Sequence, residues 1–403
     1  MIPEIRKKIN AEYTDAKYQA FTHELDTTYK YPTDFRSAET PIFLTKDVKR
    51  QLIDACNDIV AQLQTEEFRK HASTAIPSGL SVPNETHHPE FLQIDFGICK
   101  DENGNFIPQL IELQGFPSLY GYQAFLNDTI RKHFSIPPTY GASFNGFVRE
   151  TYEKLLYDVI VGKSDPKNVV LLEIEPEKQK TRIDFTIMEK MLGVRTVCLT
   201  KVKKHGKQLF YIENGKEIRI ERVYNRVIFD ELERKNVQSE FKFSDEVDVH
   251  WVGHPNWYFR ISKHTLPFLK SKYVPECHFV SDLKEYPNDL QQYVLKPLYS
   301  FAGLGVDINV TKEKLDGLND KSQYLLQRKV EYAELIETPD GFAKAEIRMM
   351  FIWPALRSAI EGGKEKPILV KNLVRLSKGA MMGVDFNKNK TWVGGTIAYH
   401  EAI

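Results

Sequence analysis

Apolar residues recur at helical spacing over residues 45–63. Val48, Leu52, Cys56, Ile59 and Leu63 would share one face there, and Thr45 can cap the start. The period changes to two over 91–99 and 106–114, which predicts two strands, and Asn103-Gly104 between them is a hairpin signal. Helical patterns follow at 120–133 and 145–158. After a loop holding Pro166, NVVLLEI reads as a buried strand. A helix from about Asp184 to Leu192, stopped by Gly193, and a strand RTVCLT complete a β-α-β unit. A second hairpin signal, Asn214-Gly215, precedes ERVYNRVIF and VDVHWVG. Beyond 256 the pattern predicts a helix around Ser262–Leu269, strand QYVLKP, loop SFAGLG, strand VDINV and helix TKEKLDGL. The strands YLLQRKV, AEIRMMFIW and LVKNLVRLS follow. The expected class is α/β (α+β), in three parts: 1–160, 161–255 and 256–403.

Composition narrows the function classes. Lys plus Arg and Asp plus Glu both number 55 in 403 residues, so no net field draws nucleic acid or an anionic membrane surface. No apolar run approaches the ~18 residues of a membrane helix, and MMFIWPAL is broken by Pro354. The first residues carry no apolar signal region. Four scattered cysteines (Cys56, Cys99, Cys198, Cys277) lack the spacing of a zinc site or a disulfide framework. A soluble, reduced, cytoplasmic protein is expected.

Three constellations could carry chemistry. With a two-residue turn at Asn103-Gly104, Asp95 faces Glu112 and Gln93 faces Gln114, all on one face of the ribbon. Carboxylates directly opposed across a hairpin repel, and need a cation, a shared proton or open solvent. Oxygen donors of this kind suit Mg²⁺ or Mn²⁺; a plain solvated hairpin satisfies the same pattern. Pro108 marks a place for a bulge. In the second constellation Lys296 ends an apolar strand and precedes Ser300, Gly303 and Gly305. Glycines there let backbone N–H groups approach a phosphate, and the lysine supplies a point charge. A tight turn beside a surface lysine would look alike. Because this loop joins two strands it is no P-loop, and Gly162-Lys163-Ser164 fails that motif because Tyr157 stands where glycine is required. Third, Glu346, Arg348, Asn372 and Arg375 interrupt apolar strands, where charge must be paired or liganded. The histidines, His254 and His400 among them, show no metal spacing.

Taken in order, these pieces resemble the ATP-grasp superfamily. An acidic hairpin near the start, with the lysine strand and glycine loop near the end, is similar to its circularly permuted branch, which includes eukaryotic-type glutathione synthetases and glutathionylspermidine synthetases. The resemblance spans most of residues 90–403. It implies a circularly permuted ATP-grasp fold with an inserted α/β substrate-binding domain at 161–255. Residues 1–160 would supply helices and the metal hairpin, and 256–403 the nucleotide-binding region.

By position, the resemblance implies Asp95, Glu112 and Gln114 as magnesium ligands, Lys263 and Lys296 as the ATP lysines, and phosphates under Ser300, Gly303 and Gly305. Gln327, Lys329 and Val330 would form the adenine hinge, with Glu331 or Glu334 on the ribose. Glu346 and Arg348 would face the nucleotide, and Arg375 would neutralise a carboxylate or the transferring phosphate. Arg226, in the inserted domain, is a candidate for a substrate-carboxylate contact, with a structural ion pair as the alternative. Gly394-Gly395 resembles the branch's closing loop. The chain departs from the pattern at Gln114, where asparagine is expected, at Ser300-Phe301, where an acidic ligand is expected, and at Ser377, where a lysine is expected. The implied activity joins a small carboxylic acid to an amine through an acylphosphate, with ATP and Mg²⁺, in a homodimer. A phosphotransferase and a non-catalytic nucleotide-binding protein are the alternatives.

Overall fold

A computed structural model describes residues 1–300, 303–354 and 366–402. The fold is mixed α/β. Its main sheet is antiparallel and runs Gly394–Thr396, Ile368–Ser377, Gly341–Ile352, Phe91–Lys100, Phe106–Gln114, with Ile336–Thr338 also paired to Gly341–Ile352. Strands some 250 residues apart in sequence are therefore neighbours, with Arg348 opposite Asp95 and Glu346 opposite Arg375.

Period-two alternation sorts the faces of this sheet. Leu92, Ile94, Phe96 and Ile98 point into a hydrophobic core with Leu52, Cys56 and Ile59 of the helix Lys46–Leu63. Thr45 caps that helix by accepting from the Val48 amide at 3.3 Å. Gln93 and Asp95, equally buried, take the opposite face. A three-stranded sheet, Cys277–Phe279, Tyr324–Arg328 and Tyr293–Pro297, carries the lysine strand. A parallel sheet runs His250–Val252, Arg222–Asn225, Val169–Glu173, Arg195–Cys198, and the helix Arg182–Leu192 links two of its strands. Within the first 80 residues, which the resemblance leaves unexplained, helices Pro3–Ala11 and Asp15–Thr27 precede the helix Lys46–Leu63. The same stretch also supplies Ile42–Phe43, which pairs in parallel with Ala398–Glu401 and ties the start of the chain to its end. Among the described residues no helix is long and apolar enough to cross a membrane.

Several local expectations are corrected. The hairpin loop is five residues, Asp101 to Asn105, because the Asp101 carboxylate accepts the Asn103 and Asn105 amides at 2.9 and 2.8 Å and closes a wider turn. A bulge beside Phe96 then shifts the register, so Asp95 still meets Glu112 and Gln93 still meets Gln114. Pro108 is not the bulge; it pairs with Ile98. The helix expected around Ser262–Leu269 is the 3₁₀ segment Lys263–Phe268 with Pro267 inside, which denies it an α-helical donor. VDINV is no strand; Asp307 alone bridges to Leu295.

Candidate functional site

Asp95 is fully buried at the centre of the main sheet, yet its carboxylate is not free. Arg348 on the neighbouring strand grips it with two parallel bonds, Nε to Oδ1 and Nη2 to Oδ2, both 2.7 Å. Arg375 Nη2 adds a third at 2.7 Å and also pairs with Glu346. Arg348 Nη1 donates to Gln93 Oε1 at 2.9 Å, and Gln93 is oriented by its own donation to the Ser118 carbonyl at 2.8 Å. With its amide oxygen toward Arg348, Gln114 accepts from that guanidinium at 2.8 Å. Burial pushes the Asp95 carboxyl up, but the two arginines outweigh it and the net displacement is downward. Glu346 moves the other way: burial raises it, Arg375 offsets part of that, and the Asp95 charge adds to the rise. Tyr332 donates to Glu346 at 2.7 Å and lies across Gly97, where a Cβ would come within 2.8 Å of its ring.

The expected magnesium set does not fit this arrangement. Both oxygens of Asp95 and the Gln114 amide are taken up by guanidinium groups, and a divalent cation there would sit against two positive charges. Among the described residues no three His, Cys, Asp or Glu side chains are grouped to hold a metal. Glu112 alone of the set stays clear of arginine. It is half-buried and faces Lys263 at 3.8 Å.

Lys263 donates to the Ser300 carbonyl at 2.5 Å. Lys296, from the small sheet, reaches across to the hairpin and donates to the Ile111 carbonyl at 3.0 Å and to Gln327. Gln327 in turn donates to the Leu110 carbonyl at 3.0 Å. Burial lowers the Lys296 pKa, and the Glu112 charge opposes that. The hairpin's irregular stretch thus exposes two carbonyls that stitch the sheets together. On one side of the stitch lies a space of about 30 Å³ lined by Glu112, Gln114, Lys263 and Ser300, room for about one water. On the other lies a cleft of about 480 Å³ lined by Lys329, Val330, Glu331 and the hairpin tip.

The remaining predicted residues fall as follows. Gln327 is turned to Lys296 and lies outside the lining of the hinge cleft. Glu334 is exposed and also outside that lining. Gly303 and Gly305 adopt left-handed φ values of 75° and 72°, and Phe301 lies outside the described residues. Arg226 directly follows the parallel-sheet strand Arg222–Asn225. It is buried between the rings of Phe116 and Phe185, with Nε and Nη1 unpartnered. Glu173 near it is pushed up to about 8 by burial, partly offset by Arg226. Gly394 and Gly395 border a mostly apolar cavity of about 530 Å³ that also exposes Arg375, whose Nε has no partner, and Gln123, whose buried Oε1 has none. Sequence reasoning missed Tyr332, Gln123 and this cavity. Tyr332 stands two positions past the hinge with no periodic signal to mark it, and the cavity is built from four separate stretches of chain.

The mixed α/β fold is similar to that of a solved glutathione synthetase-like protein. A glutathione synthetase-like effector from Globodera pallida, solved in its apo form, superposes with a TM-score of 0.56 over 99% of this chain and 98% of that one, at 10% identity. No protein-family model and no curated protein matches the chain.

Proposed function

We propose that the protein is an ATP-dependent carboxylate–amine ligase of the ATP-grasp kind. One observation carries the proposal: Lys263 and Lys296 converge between two sheets with the carboxylate of Glu112, which comes from the early hairpin. Two ammonium groups at one such place suit a polyphosphate. The neighbouring hinge cleft suits an adenosine, with Lys329, Val330 and Glu331 on its wall.

The reaction has two steps. A carboxylate oxygen of the acid attacks the γ-phosphorus, the bond to the β-phosphate oxygen breaks, and ADP leaves. An amine then attacks the acyl carbon, phosphate leaves with the bonding pair, and the nitrogen loses a proton. Positioning and charge neutralisation are the protein's main tasks in such a transfer. Lys296 and Lys263 would offset phosphate charge. Arg375, 36% exposed toward the apolar cavity, would hold the reacting carboxylate. Arg226, whose Nε and Nη1 are without partners among the described residues, would hold a second carboxylate of the acid. The magnesium of MgATP enters no step here, since its expected ligands are held by arginine.

The test is ADP release from MgATP across a panel of amino acids, dicarboxylic acids and polyamines. Release that needs both an acid and an amine is expected, and Lys263→Ala, which removes one of the two ammonium groups, should lower it. ADP release with a stable phosphorylated product would indicate a phosphotransferase instead. A second reading has its own support. Asp95 is saturated and the space by the lysines has room for about one water, which favours a nucleotide-binding protein without turnover. MgATP raising Tm with no ADP formed would select that reading.

A further inference from the structure

A second cavity, of about 910 Å³, lies at the other end of the main sheet, and none of the site residues above lines it. Its volume falls in the range of small-molecule sites. One wall is the end of the central strands, with Phe351, Leu369 and Lys371. The others come from the helices Lys46–Leu63 and Tyr120–His133, the stretch 141–149 and the final strand.

Lys371 is the unusual member of this lining. It is 4% exposed, and among the described residues no carboxylate pairs with it. Its ammonium donates to Ser143 Oγ at 2.7 Å and lies 4.9 Å over the Tyr152 ring, both neutral partners. A buried ammonium without a counter-charge is costly. Burial lowers its pKa to about 8, so near neutral pH most of the molecules still carry the charge.

The Asp128 charge opposes that lowering in part, but among the described residues no carboxylate pairs with Lys371 directly. Arg149 is committed to Asp128, at 2.7 Å, and to Glu153. Arg131 donates to the Tyr140 carbonyl, and Lys49 to the Glu401 carbonyl at 3.1 Å. Four cations against the single carboxylate of Asp128 therefore line the space. His400 adds a second unfilled group. It is 2% exposed, and its Nδ1 lies 3.1 Å from the Glu401 carbonyl, while among the described residues Nε2 has no partner. With Nδ1 as the donor, neutral His400 presents Nε2 as an acceptor.

We propose that this cavity binds a small hydroxylated oxyanion, a hydroxycarboxylate or a sugar-type phosphate ester. Lys371 is its counter-ion, and the His400 Nε2 accepts from a hydroxyl group of the same ligand. The site is separate from the nucleotide chemistry and does not depend on it.

Calorimetric titration of the full chain without nucleotide tests this. L-malate and glycerol 3-phosphate are the probes and glycerol is the uncharged control. Saturable binding of at least one anion, weakened tenfold or more in Lys371→Met, is expected, and which anion binds separates the two sources. In the wild-type chain, the bound anion should also slow acetylation of Lys371 by acetic anhydride, read by peptide mass spectrometry. That measurement decides the matter if the variant does not fold. Binding of neither anion, equal binding to Lys371→Met, or Lys371 labelling unchanged by the anion would overturn the proposal. None of these outcomes bears on ADP release from MgATP.

Discussion

Arg348 holds the acidic face of the sheet together, since its guanidinium touches Asp95, Gln93 and Gln114 at once. Removing one partner of a buried ion pair leaves the other charge uncompensated. Arg348→Met should therefore cost about 3–5 kcal/mol, read by urea unfolding. A cost below about 1 kcal/mol would mean that Arg375 alone satisfies Asp95. His400 gives a pH-dependent counterpart. Burial lowers its pKa to about 4 from an ordinary 6.5, so the folded state binds fewer protons than the unfolded state between those values. Stability is present above pH 6.5 and lost as the pH falls toward 4. In His400→Leu that decline should be shallower by up to about 3 kcal/mol across the window, as measured by unfolding at pH 7 and pH 4.5. Neither residue's role was legible in the sequence. The partner of Arg348 is 253 positions away, and His400 has no spacing to mark it.

At the scale of elements, the hairpin was legible in outline because alternation and the acidic pair agree on one register. Its details were not, because the wider Asp101 turn and the later bulge compensate each other, and only the net pairing shows in the pattern. The anchoring of the crossing segment Val330–Ala333 was invisible for another reason. The segment is anchored by the Ala333 amide on the Ile98 carbonyl at 2.8 Å and by the close fit of Tyr332 over Gly97. A methyl group at 97 would meet Tyr332 at 2.8 Å and Val330 at 3.0 Å. Gly97→Ala should cost about 1–3 kcal/mol by overpacking. An unchanged Tm would show that the segment moves aside freely.

For the whole molecule, an early hairpin joins late strands, and two lysines from the same late part of the chain lie beside it. The order of motifs was readable from the chain. The volumes between them were not, because they depend on how closely Lys296 and Gln327 draw the small sheet onto the hairpin. Admitting a nucleotide requires those bridges to open, so the spacing between the sheets is itself under test. Calorimetric titration of MgATP into the wild-type chain and into Lys296→Ala reads this most directly. The account predicts saturable binding of one nucleotide per chain, weakened at least tenfold by the substitution. Absence of binding to the wild type, or equal affinity in the variant, would contradict it.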